Sequence, residues 1–215
     1  MADGILGGLR VVEGSAFVAV PLTGMTLAQL GADVIRFDPI GGGLDARRWP
    51  LDGNGNSLFW QGLNKGKRSL AVDLKSPEGR EIVTRLIAGT GPDDGIFLTN
   101  LPSAGWLSYP TLRAHRDDLI MVSLTGNRNG SSAIDYTVHP ATGFPAVTGP
   151  AGTGPVNSVL PAWDVAAGLH AAVGLLAAER RHAHAEHRVV VHHQDPEALA
   201  ARRHVARLGL AHTAS

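Results

Sequence analysis

Asp164 lies between Pro161-Ala162-Trp163 and the most apolar stretch of the chain, Val165 to about Ala178. That placement predicts a helix opened by Asp164, an acid well suited to cap free N–H groups. The same geometry suits chemistry. A carboxylate at a helix N-terminus is kept ionised by the dipole, and beside Trp163 it would be poorly hydrated, which makes it a candidate nucleophile. Arg36 closes a second apolar run, Asp33 to Asp38. A basic side chain at a strand end can hold a ribose phosphate; by itself it also reads as a solvated charge. Asn64-Lys65-Gly66-Lys67-Arg68 is a basic turn leading into another strand, with Lys75 just beyond. Together with Arg36 these cations could form an anion site, or simply a solvated face.

Other chemistries are poorly served. The chain contains no cysteine, so thiol nucleophiles, disulfides and Cys-ligated metals are excluded. Gly14 and Gly24 are too far apart for Gly-x-Gly-x-x-Gly, and there is neither a P-loop nor a Gly-x-Ser-x-Gly elbow. Of ten histidines, seven follow residue 180, but His182-x-His184-x-x-His187 lacks the spacing of a structural or catalytic zinc site. No metal site is therefore expected.

The elements that must position these residues alternate. Leu9 to Val12 reads as a buried strand. A helix follows over Pro21 to Leu30, with Gly31 ending it, and Asp33 to Asp38 is the next strand. Arg68 to Leu74 predicts a third strand. Ser76-Pro77-Glu78 then marks a helix start, with Ser as N-cap, Pro in the first turn and an acid near the dipole. Gly95 to Thr99, Leu119 to Leu124 and Arg188 to Val191 are further strands, and Pro196 to about Leu208 predicts a polar helix. The alternation argues for an α/β fold with a parallel sheet and helices on both faces. Gly126 to Pro161 reads as one long loop, a length that tends to be functional.

The 215 residues carry 19 basic and 19 acidic side chains, so a general nucleic-acid binder is not expected. The longest apolar stretch, Val165 to Ala178, is interrupted by Gly168, Gly174 and His170. No membrane span follows, and a cytoplasmic location is the expectation.

Several blocks of the sequence resemble one family. They are Gly8-Leu9-Arg10-Val11-Val12-Glu13, Leu30-Gly31-Ala32-Asp33-Val34-Ile35-Arg36, and Asn64 through Gly79. With Asp164, Ala167-Gly168 and the Leu-Leu-Ala-Ala-Glu-Arg helix end, they are similar to class III CoA-transferases. Finer blocks include Glu13-Gly14-Ser15-Ala16-Phe17, Asp135-Tyr136-Thr137-Val138 and Leu160-Pro161-Ala162-Trp163-Asp164. These resemble the branch that moves CoA between the two carboxyl groups of one methylfumarate molecule. Racemases of this fold place a His directly before the position of Asp135; here it is Ile134.

The resemblance implies a Rossmann-like large domain over residues 1–181, with a diverged or truncated tail over 182–215 and the small domain missing. It implies covalent catalysis by Asp164 through an aspartyl-CoA intermediate. Arg36, Val72, Lys75, Asn100 and Leu101 fall on positions that line the CoA site, and Phe17 and Val18 on positions near the thioester. It further implies an acyl-CoA substrate, no permanently bound cofactor, and an interlocked homodimer. The alternatives carried with it are an intermolecular CoA-transferase and an inactive CoA-binding remnant.

Overall fold

The computed structural model describes residues 4–127, 129–181 and 188–192. Along the chain run β1 (Arg10–Gly14), α1 (Ala19–Gln29), β2 (Asp33–Pro39), α2 (Leu58–Leu63) and β3 (Arg68–Val72). They are followed by α3 (Pro77–Ala88), β4 (Ile96–Thr99), a 3-10 turn (Gly105–Leu107), α4 (Tyr109–Arg113) and β5 (Ile120–Thr125). The last are α5 (Asp135–Ala141), α6 (Phe144–Val147), α7 (Ala162–Arg181) and β6 (Arg188–His192). The strands pair in parallel in the order β3-β2-β1-β4-β5-β6.

The strands are nearly continuous apolar runs because both faces of the sheet are covered. Successive side chains of a strand point to opposite faces, so one run feeds two cores. Val11, Ile96, Leu98, Ile120 and Val122 pack under α1 and α7. Val12, Phe97 and Met121 enter the other core with Val83 and Ile87 of α3.

Local signals in the sequence are obeyed. Ser76 accepts from the N–H of Gly79 at 2.9 Å, with Pro77 in the first turn of α3. Gly31 ends α1 with a φ of 108°, a value glycine adopts freely. The stretch expected as one loop over Gly126 to Pro161 contains two short helices, α5 and α6. α7 begins at Ala162, so Asp164 lies in its first turn and is not its N-cap. The strand expected over Arg188 to Val191 is β6, whereas the polar helix expected from Pro196 and the His182–His187 tract lie outside the described residues.

α7 meets α1 through small residues. Thr23 Oγ1 donates to the carbonyl of Gly168 at 2.8 Å. A Cβ at Gly168 would come within 2.5 Å of the Ala19 carbonyl oxygen, a backbone atom that cannot swing aside. Gly168→Ala is therefore expected to part the two helices and destabilise the chain by about 1–3 kcal/mol. A lowered urea midpoint would report it; an unchanged midpoint would mean the crossing is loose. On the opposite side of α7, Leu169 and Val173 are 47% and 66% exposed, so the apolar helix uses only one face here.

Candidate active site

In a doubly wound sheet, ligands settle outside the carboxyl ends of the strands where the strand order reverses. Here that point lies between β1 and β4, which flank the centre and send their connections in opposite directions. Phe17 and Val18 follow β1, and Asn100 and Leu101 follow β4. Val72 ends β3, Lys75 lies in the next turn, and Arg36 is in the carboxyl half of β2. α7 leads into β6, which is parallel to the rest, so its first turn and Asp164 stand at the same edge. The topology thus gathers all eight sequence-predicted residues along one edge of the sheet. Val72 and Val18 are buried, Lys75 is exposed, and Leu101 packs against the core beneath α3.

The turn after β1 is fixed backbone atom by backbone atom. Asn100 accepts from the N–H of Ala16 at 2.9 Å and donates to its carbonyl at 2.8 Å. Arg36 donates to the carbonyl of Ser15 at 3.1 Å. Asp45, wholly buried, accepts from the N–H of Phe17 at 3.0 Å. Phe17 carries a φ of 68°, among the described residues the one non-glycine in the left-handed region. Such strain persists only when the surroundings over-determine it, and it concentrates at functional sites. Asn100, assigned from the sequence to the CoA site, is therefore also the clamp of this turn.

Arg36 is not a solvated charge: its guanidinium is buried and paired within the protein. It is 1% exposed. Its guanidinium donates to both Asp38 oxygens at 2.9 and 3.0 Å, to Asp45 at 2.9 Å and to Asn64 at 3.0 Å. Its face lies 5.5 Å from the centre of the Trp60 ring. The basic turn is not an open anion site. Lys67 is buried and donates to Glu13 at 2.8 Å, to the Pro21 carbonyl at 2.9 Å and to Asn64 at 2.8 Å. Arg68 pairs with Asp33. Burial pushes the Glu13 carboxyl up from its ordinary range, against the pull of Lys67. Burial pushes the Lys67 ammonium down, against the pull of Glu13. This network underlies a cleft of about 370 Å³ at the ends of β2 and β3, lined in part by Asp38, Arg47, Trp60, Gln61 and Ser69.

The head of α7 is held by α5. Asp135 Oδ2 accepts from the N–H groups of Trp163 at 2.8 Å and Asp164 at 3.1 Å. The capping duty that the sequence assigns to Asp164 thus falls to an acid nearly thirty residues earlier. One turn after Asp135, His139 accepts from the Trp163 indole N–H at 3.0 Å through Nδ1, which assigns its own proton to Nε2. Phe144 packs on both rings. Asp135 and His139 were missed as site residues. Their Asp-x-x-x-His spacing on one helix face is a signal, but nothing local says which helix it clamps.

Among the described residues no cluster of His, Asp or Glu could hold a metal ion, and no helix is long and apolar enough to cross a membrane.

Residues 6–201 match the model of CoA-transferase family III. The chain belongs to that family. It is 65% identical over 180 residues to 2-methylfumaryl-CoA isomerase of Chloroflexus aurantiacus, covering 82% of this chain and 44% of that protein. It is 33% identical over 189 residues to succinate–glutarate CoA-transferase of Agrobacterium fabrum, covering 80% of this chain and 46% of that protein. The chain thus spans about half the length of these family III relatives. Among solved structures, a CAIB/BAIF family protein from Brucella suis superposes with a TM-score of 0.77 at 27% identity, covering 95% of this chain and 58% of that one. A Mycobacterium tuberculosis protein, Rv3272, superposes with a TM-score of 0.78 at 25% identity, covering 99% and 61%. The family III fold is thus the one built by these six strands.

Proposed function

We propose that this chain provides the acyl-transfer half of an enzyme that moves CoA between the two carboxyl groups of 2-methylfumarate. The observation that carries the proposal is Asp164 in the first turn of α7, at the carboxyl edge of the sheet, its backbone held by Asp135. The 65% identity to 2-methylfumaryl-CoA isomerase supports the substrate.

Asp164 attacks the thioester carbonyl at C1; the C–S bond breaks and CoA leaves as a thiolate, giving a mixed anhydride. The thiolate attacks the aspartyl carbonyl and frees the C1 carboxylate, leaving an aspartyl-CoA thioester. The C4 carboxylate of the same bound diacid attacks that thioester and expels the thiolate. The thiolate then attacks the C4 carbonyl of the new anhydride and releases Asp164 as a carboxylate. Every step exchanges an oxygen or sulfur nucleophile at an acyl carbon, so no net proton, electron or metal is required. Backbone N–H groups of the glycine-rich loops take the developing oxyanions, worth about 3 kcal/mol each. CoA enters as part of the substrate, along Val72, Lys75, Asn100 and Leu101. The working form is a homodimer in the cytoplasm; exposed Leu169 and Val173 on α7 support a further packing partner.

The second reading is transfer to a separate acid, favoured by the 33% identity to succinate–glutarate CoA-transferase. The test is incubation with 2-methylfumaryl-CoA thioesterified at C1, with and without added free diacid bearing an isotope label. Conversion to the C4 thioester without label uptake is expected. Label in the product would establish the second reading, and no conversion would refute both for this chain.

A further inference from the structure

Arg48 is a cation held against two aromatic rings. Its guanidinium lies 5.4 Å from the centre of the Phe17 ring and 4.3 Å from that of Phe59. Among the described residues no carboxylate pairs with it, whereas nearby Arg36 and Lys67 are each paired. It is only half-buried, so its remaining N–H groups stay within reach of a ligand.

Its position is set by the same acid that sets Phe17. Asp45 holds the Phe17 N–H through its carboxylate, while its carbonyl accepts from the N–H of Arg48 at 3.1 Å. Ser57 Oγ, in turn, donates to the Arg48 carbonyl. One turn anchored by buried Asp45 therefore fixes both the strained aromatic residue at the switch point and the cation stacked on it. Stacking on aromatic faces leaves the edge of a guanidinium open, and that edge matches a carboxylate with two parallel hydrogen bonds. A side chain ordered before binding loses little freedom when the ligand arrives.

We propose that Arg48 receives the free carboxylate of a dicarboxylate monothioester, and so selects acyl groups that carry a second carboxyl. This rests on the CoA-transfer reading, and it assigns the cation that keeps the diacid bound while CoA resides on Asp164.

Binding of succinyl-CoA and butyryl-CoA to the full chain tests it, because the two ligands share CoA and acyl length and differ in the carboxylate. Wild type should prefer succinyl-CoA. Arg48→Gln should weaken succinyl-CoA by about tenfold or more and leave butyryl-CoA within about twofold. Arg48→Lys, which keeps the charge but not the fork, should recover part of the preference. Equal weakening of both thioesters would overturn the proposal, since Arg48 would then hold a CoA phosphate or support the fold. An unchanged preference would overturn it too. Binding of neither thioester by wild type would instead defeat the CoA-transfer reading, and this assignment with it.

Discussion

Asp164→Asn is expected to abolish exchange between labelled CoA and the acyl-CoA, by at least about a thousandfold. The amide keeps the size of the side chain but cannot form the anhydride. The fold should survive, because Asp135 holds the N–H groups of residues 163 and 164 at the head of α7. Loss of a first-turn acid costs roughly 0.3–1 kcal/mol through the helix dipole. Exchange by mass spectrometry and unfolding by circular dichroism, made on the same samples, separate the two effects. An Asn variant that retained most of its exchange would remove Asp164 from the chemistry. Treating the wild type with hydroxylamine during turnover should also leave a hydroxamate at Asp164, and none in the variant.

The largest effect on stability is expected at Arg36. Its guanidinium binds Asp38, Asp45, Asn64 and the Ser15 carbonyl while 1% exposed. Arg36→Met fills the volume but leaves the Asp38 and Asp45 carboxylates buried without their cation. Removing one partner of a buried pair costs about 3–5 kcal/mol, because an uncompensated charge stays inside. In a chain of this size that lowers the thermal midpoint by roughly 6–20 °C. Arg36→Lys should fall between, since an ammonium cannot reach so many acceptors at once. A methionine variant as stable as wild type would mean the carboxylates are met by water or protonated. The effect should be nearly independent of salt, as buried pairs are screened far less than exposed ones.

Much of the fold was legible because its determinants are local. Apolar runs of strand length, the Ser76-Pro77 start and the Gly31 stop each act within one turn or one strand, and the structure follows them. Repeated alternation then leaves few topologies, since parallel strands need crossovers. The place of Asp164 near the head of α7 was legible for the same reason: an acid before an apolar helical run stands out in the chain itself.

What the sequence alone determined is therefore the six strands, α1, α3 and the body of α7 with an acid near its head, whereas the short helices α2, α4, α5 and α6 were not legible in it. What only tertiary structure decided is the state of each charge. Arg36 reads identically whether it faces solvent or three acids, and its partners Asp45 and Asn64 lie 9 and 28 residues away. Lys67 meets Glu13 across 54 residues, and Asp135 reaches the Asp164 N–H across 29. Phe17 adopts a left-handed φ because Asp45 holds its N–H while Asn100 clamps Ala16 before it, against its own preference. Burial and pairing arise when distant segments close on one another, so a charge's role is set by neighbours the local sequence does not contain.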